Sequence, residues 1–298
     1  MILAAAALLL YVTNERAGTV TVIDTATDTV INTIHIGTRP RGIAGLYVAV
    51  SHFRDKPSRD RDGVIDIEHK KRFACGIDPE GIAVTPDGKR FVVSNEDAGT
   101  ASIVDVKSGK ITPLVTGTEP EGVAISHDGR WAYITAETSS TVTVIDLKND
   151  KIAANFFVST RPRYALFSHD DARAYVSSEI GGAIDVVDAK AHRVLTKIRL
   201  GKADHPVGMV LWNDRLYAAT GRGNSVAVID LASNRFVKEI PAGQRPWGIA
   251  ITPDGRKIYT ANGLSNDVSV IDVAAERVVR TIKVGDGPWG LALRSAER

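Results

Sequence analysis

The sequence predicts an all-β protein: a seven-bladed β-propeller with four antiparallel strands per blade, its N-terminal blade closed by the C-terminal strand. Three observations predict it. YVTNERAGTVTVID, at Tyr11–Asp24, returns almost unchanged as YTANGLSNDVSVID at Tyr259–Asp272. The same plan recurs five times between them, at a period of about 42 residues. No stretch carries the spacing of an amphipathic helix.

Each unit opens on a proline, usually followed two residues later by glycine, and a short apolar strand. The prolines are Pro40, Pro79, Pro120, Pro162, Pro206, Pro246 and Pro288; after Pro162, Tyr164 stands where the glycine is expected. A polar turn such as TPDG at Thr85–Gly88 or Thr252–Gly255 leads to the second strand. That strand carries Tyr11, Tyr47, Val92, Tyr133, Tyr175, Tyr217 or Tyr259. The third strand is β-branched and ends at Asp24, Asp66, Asp105, Asp146, Asp188, Asp230 or Asp272. Six of the seven intervals between these last two markers are 13 positions, and the second is 19. A fourth strand such as RVVRTIKV completes the unit. The chain starts on a second strand and ends on a first one, Pro288–Leu293, so the two ends share a blade and remove two open sheet edges.

Composition narrows the function classes. The 298 residues carry 37 basic and 35 acidic side chains, a net charge of +2 that gives no drive toward nucleic acid. The single cysteine, Cys75, excludes an internal disulfide and a cysteine-based zinc cluster, and is expected as buried packing. MILAAAALLL is too short to span a bilayer. Residues 1–10 read as a signal-peptide remnant ahead of a single domain at 11–298, although no positive charge precedes them and no cleavage site follows; a first strand is the alternative.

Tyr-Val-Thr-Asn at 11–14, the VIDTAT run at 22–27 and the recurrent Arg-Pro-x-Gly resemble the YVTN family of β-propeller repeat proteins, over essentially residues 11–295. SSEIGGAIDVVD (Ser177–Asp188) and TANGLSNDVSVIDVA (Thr260–Ala274) are most similar to the propellers associated with pyrroloquinoline-quinone-dependent alcohol catabolism. The resemblance implies a periplasmic or secreted, redox-linked setting. It supplies no catalytic residues, because its motifs are structural and propellers host enzymes, binding modules and scaffolds alike.

The second unit departs from the plan. Only 7 positions separate Pro40 from Tyr47, and the following charged stretch SHFRDKPSRDRDG, Ser51–Gly63, is six positions longer than its counterparts. A stunted inner hairpin and a long loop on the opposite face are expected. Such loops carry function in many folds, and a solvated insertion is the alternative.

Strand alternation puts the proline loops and the connections from second to third strand on one face, at the mouth of the channel. The residues after proline run Arg41, Glu80, Glu121, Arg163, Val207, Trp247 and Trp289; those before it run Arg39, Asp78, Glu119, Arg161, His205, Arg245 and Gly287. This ring is lopsided, with a charged wall on one side and Trp247 and Trp289 on the other. It suits a flat or amphipathic ligand, stacked on indole and held through a carboxylate by arginine. The candidate binding residues are Arg39, Arg41, Glu80, Glu121, Arg161, Arg163, His205, Arg245, Trp247 and Trp289. The alternative is mutual neutralisation of arginines and glutamates with the tryptophans plugging the channel.

Glu96, Glu137 and Glu179 share one repeated position after the second strand and add carboxylates to the same face. No calcium-loop spacing is present, and no metal site is expected. The aspartates ending the third strands recur seven times, which fits turn-building rather than catalysis. Nucleophile-elbow, metalloprotease, phosphate-loop and haem-attachment motifs are absent from the sequence. The reading is a non-catalytic, monomeric binding or scaffold protein for a small organic ligand or a periplasmic redox partner, with no cofactor identified. Two alternatives stand beside it: a lactonase- or lyase-type enzyme using His205, Glu80, Glu121 and Arg163, and a tetrapyrrole or quinone site walled by the tryptophans.

Overall fold

The computed structural model describes residues 7–51, 62–201 and 205–295. Among them the strands form seven four-stranded antiparallel sheets, and the innermost strands contact one another in a closed ring around a central channel. Blade one joins Leu8–Asn14, Thr19–Asp24 and Thr29–His35 to the C-terminal strand Pro288–Ser295. At this seam Leu10 faces Leu293 and Val12 faces Leu291, and Leu10 and Val12 are fully buried. Leu8–Leu10 therefore lie within blade one. Residues 1–6, on which the rest of the leader expectation falls, are outside the described residues.

Strand chemistry follows position in the blade. The third strands, such as Thr19–Asp24 and Ser225–Asp230, are buried along almost their whole length because both faces meet neighbouring blades. Their side chains are accordingly β-branched, with hydroxyls that find partners. The outermost strands, such as Arg277–Lys283, are largely exposed and rich in Lys and Arg, which blunts their free edges. Apolar clusters fill the gaps between blades: Leu10 and Val12 of blade one pack with Tyr259, Val268 and Val270 of blade seven.

The glycine two places after proline is set by inter-blade distance. A Cβ on Gly42 would lie 2.2 Å from the Glu80 carbonyl oxygen of the next blade; on Gly81, 2.3 Å from that of Glu121; on Gly290, 2.5 Å from that of Arg41. Second-strand hydroxyls complete the joint. The Gly290 N–H donates to Thr13 Oγ1, which donates to the Arg41 carbonyl at 2.6 Å. Ser94 joins Gly81 to Glu121 in the same way, and Ser177 joins Tyr164 to Val207. In blade six Ala219 replaces the hydroxyl, and Gly208 N–H reaches the Trp247 carbonyl directly at 3.2 Å.

The Asn of the Tyr-Val-Thr-Asn motif is also structural: Asn14 Nδ2 donates to Thr19 and Thr21, and Asn262 Nδ2 to Asp267 and Ser269. The third-strand aspartates accept turn N–H groups, as Asp24 does from Ala26 and Asp272 from Ala275. Cys75 is buried, and burial pushes its thiol up to about 12, so it is inert packing.

Blade two is stunted as expected. Ala44 pairs with Tyr47 across a two-residue turn at Gly45–Leu46, and the outermost strand, Lys71–Phe73, has three residues. Most of the long insertion, residues 52–61, lies outside the described residues. Blade six differs from expectation: its regular innermost strand is only Met209–Trp212, and Val207 and Gly208 ahead of it bond to Ala219 of the second strand.

Candidate functional site

The mouth is built from a repeated backbone corner. Arg39, Asp78, Glu119, Arg161, Arg245 and Gly287, each just before a proline, have φ between 50° and 68°. Residues before proline are disfavoured in helical conformations, and left-handed backbone is costly for side chains other than glycine. A hydrogen bond holds each corner. The Asp78 carbonyl accepts from Glu96 N–H at 2.8 Å, Glu119 from Glu137 at 2.8 Å, Arg161 from Glu179 at 2.8 Å, Arg245 from Gly263 at 3.0 Å and Gly287 from Glu15 at 2.7 Å. The corner therefore places the residue before proline beside the residue after the second strand, on the rim of the channel.

Two arginine–carboxylate clusters result. In the first, Arg39 Nη1 meets both oxygens of Asp78 at 2.7 and 2.9 Å while its Nε meets Glu15 at 3.1 Å. Arg41 Nε shares the same Glu15 oxygen at 3.0 Å, and its Nη1 contacts Glu80, which is fully buried. Oxygens of Asp78, Glu80 and Glu96 all lie within 4.8 Å of one another, but Arg39 and Arg41 already reach into this group.

In the second cluster, Arg163 Nη1 contacts Glu121 and, at 2.6 Å, Glu137, while its Nε donates to Glu179 at 2.8 Å. Arg161 bridges Glu137 at 2.5 Å and Glu179 at 3.3 Å. Burial opposes the Arg163 charge, but Glu121, Glu179 and Glu137 outweigh it and raise its pKa. Burial also works against Glu179, and Arg163 overrides it, so Glu179 is held below the usual carboxylate range. Glu137 goes the other way: burial, with Glu121 beside it, pushes it up to about 7 despite Arg163.

The tryptophans close the ring. Trp247 and Trp289 stack with centroids 6.5 Å apart at 24°. Arg163 lies 5.5 Å over Trp247 and Arg41 5.9 Å over Trp289, so the charged and apolar walls meet instead of standing opposite. Arg245 stacks closest, 4.6 Å over Trp247. His205 lies beside the others at the edge, its Nδ1 3.1 Å from the Glu179 carbonyl oxygen.

Two connected spaces follow. A charged mouth of about 190 Å³ is lined by Glu15, Arg41, Glu96, Glu137, Arg163 and Trp289 among others. Below it an apolar shaft of about 100 Å³ runs between residues such as Ile43, Ile82, Val123, Met209, Ile249 and Leu291. Glu121, Arg163, Trp247 and Trp289 line both and form the step between them. The arrangement can hold a small molecule with an apolar body and polar edge.

Glu15 is the member the sequence reading missed. It occupies the position of Glu96, Glu137 and Glu179, and the signal was legible in Tyr-Val-Thr-Asn-Glu.

The model of the YNCE-like β-propeller family matches residues 209–298. No curated protein matches the chain. Among solved structures, the hydrazine synthase of Kuenenia stuttgartiensis is 22% identical with a TM-score of 0.77, covering 89% of this chain and 92% of its own. A candidate 6-phosphogluconolactonase from Bacteroides fragilis is 18% identical with a TM-score of 0.78, covering 97% and 98%. A dihydro-haem d1 dehydrogenase, solved in complex with DHE, is 15% identical with a TM-score of 0.64, covering 95% and 74%. At these identities the likeness is one of fold.

Proposed function

We propose that this propeller is a non-catalytic binding protein of the periplasm, linked to quinone-dependent redox metabolism, whose channel mouth holds a small organic ligand. The observation that carries the reading is the Trp247–Trp289 step between a charged rim and an apolar shaft. Such a step accepts a planar body at the indoles and leaves its polar edge among guanidinium groups. Four of the five candidate arginines, Arg39, Arg41, Arg161 and Arg163, already pair with carboxylates, which suits a rigid frame more than a reacting centre. The periplasmic and redox setting rests on the resemblance to propellers associated with alcohol catabolism.

Thermal unfolding in the presence of planar organic compounds tests it. A quinone, a tetrapyrrole and an aromatic acid form the panel, with a neutral sugar as control. A ligand at 100 times its Kd stabilises by about 2.7 kcal/mol, a shift of several degrees. At least one planar compound raises the melting temperature of the wild type and fails with Trp247→Ala/Trp289→Ala. Shifts that persist unchanged in that variant place binding elsewhere and defeat the proposal.

One observation favours a second reading. Glu137, pushed up to about 7 beside Glu121 and Arg163, has the acidity of a general acid or base next to an anion clamp. A lactonase- or lyase-type reaction fits that pair. Turnover of a lactone or unsaturated uronate panel that is lost in Glu137→Gln would establish this reading in place of the first.

A further inference from the structure

We propose that the ligand of the mouth carries a carboxylate, and that Arg245 anchors it in the place where the repeat elsewhere supplies a glutamate. This rests on the mouth being a binding site.

The argument is a comparison of three equivalent arginines. Arg39, Arg161 and Arg245 each stand before a proline in a left-handed corner, in blades two, five and seven. Arg39 meets Glu15, the residue after the second strand of the preceding blade. Arg161 meets Glu137, which holds that place in the blade before it, and Glu179, which holds it in its own blade. For Arg245 the two equivalent places are Gly221 and Gly263. Both glutamates are missing. Nor can they simply be restored. A Cβ on Gly263 would lie 2.7 Å from Trp247 Cδ1, and Gly221 has φ +49°. The tryptophan has taken the space in which a glutamate would stand.

Arg245 is consequently alone among the five candidate arginines, and it lines a recess of about 200 Å³ that adjoins the charged mouth and shares Glu15 and Trp247 with it. Among the described residues, its guanidinium has no carboxylate within 4 Å and donates no hydrogen bond to the protein. The charges that act on it are Glu179, already held by Arg161 and Arg163, and the like charges of Arg222, Arg163 and Arg161. Burial first, and then these like charges, lower its pKa against the pull of Glu179. A bound anion relieves both.

The side chain is also oriented for the task. Its corner is fixed by the Arg245 N–H bond to Asn224 Oδ1 at 2.9 Å and by the Gly263 N–H bond to its carbonyl at 3.0 Å. Its Cζ lies 4.6 Å over the Trp247 ring, which places the charge beside the indole. The planar guanidinium offers its N–H donors in the fork that matches a carboxylate, and among the described residues none of them is taken by the protein. An aromatic or otherwise planar acid can then rest its body toward Trp247 and Trp289.

Sodium benzoate and benzamide are suitable probes, being alike in shape and different in charge. Both are titrated into the full chain, followed by tryptophan fluorescence and by the arginine Nε–H signals in NMR. Benzoate should bind at least about tenfold more tightly than benzamide and should move the Arg245 Nε–H signal most. Arg245→Gln, with an unchanged melting temperature, should bring benzoate down to the benzamide level, and Arg245→Lys should restore only part of the difference. Equal binding of both probes, unaffected by Arg245→Gln but weakened by Trp247→Ala, overturns the carboxylate anchor and leaves the mouth as a binding site. Benzoate that moves Arg39 or Arg163 and not Arg245 also overturns the anchor. Failure of both probes to bind at millimolar concentration overturns the anchor, and the planar-compound panel then decides the wider reading.

Discussion

Glu121 and Glu137 converge on one nitrogen, Nη1 of Arg163, the first in direct contact and the second at 2.6 Å. Burial, with the neighbouring Glu121, favours a proton on Glu137 against the pull of Arg163.

A pH dependence follows. Glu137 holds its proton in the folded protein up to about 7, whereas the unfolded chain releases it near 4.5. The contribution of this proton is present in full below the lower value. It is lost as pH rises through about 7, because the folded state binds the extra proton in between. Urea unfolding at steps from pH 5 to pH 8 should show a downward trend that Glu137→Gln flattens. An identical trend in the variant would contradict the proton retained on Glu137.

The buried and exposed ion pairs should respond very differently. Arg39 is 9% exposed and Asp78 3%. Asp78→Ala takes the carboxylate from the buried Nη1 of Arg39, leaving Glu15 at its Nε, and should cost about 3 kcal/mol, toward the lower end for a broken buried pair. Arg16 and Asp286 are paired at 2.8 Å in solvent, and Asp286→Ala should cost under about 1 kcal/mol. Urea unfolding of both variants reads the contrast, and similar losses would count against the cluster as a frame.

The glycines after proline should be intolerant for reasons of space. Gly42→Ala and Gly81→Ala push a Cβ against a neighbouring carbonyl and should each lose about 1–3 kcal/mol or more. Gly37→Ala meets nothing within 4 Å, and its cost is confined to backbone strain at φ +122°. Chemical denaturation ranks the three; a larger loss at Gly37 would contradict the packing account.

Removing the seam should open the ring. A chain ending at Gly287 lacks the partner of Leu8–Asn14 and exposes Leu10 and Val12 on a free strand edge. Size-exclusion chromatography should show association or aggregation, and the cooperative melt of the full chain should be lost.

The fold was legible because its markers are local and repeated. Tyr11, Asp24 and Pro40 recur in order, and the strand at Pro288–Leu293 supplies what the first unit lacks. Turn chemistry at the third-strand aspartates was equally local. The site was legible only in part. The ring of residues around the prolines brought Arg39, Arg41, Glu121, Arg161, Arg163, Trp247 and Trp289 to the mouth, whereas Glu80 is buried and Arg245 lines the adjoining recess, because a ring read in order carries no side-chain reach. Arg163 crosses to Trp247, so the charged and apolar walls are joined. Glu15 escaped notice because it sits in the half-blade at the chain start, away from its equivalents in sequence. The meaning of Arg245 depends on what is missing at Gly221 and Gly263, which only the spatial superposition of blades makes evident.

The most direct test of the central claim is native mass spectrometry of the protein recovered from an extract of its own host cells, alongside Trp247→Ala/Trp289→Ala. The account predicts a wild-type mass above that of the chain by one small organic molecule, released unchanged on denaturation and absent from the variant. A bare chain in both samples, or an adduct of equal occupancy in both, would contradict the assignment of the channel mouth as the binding site.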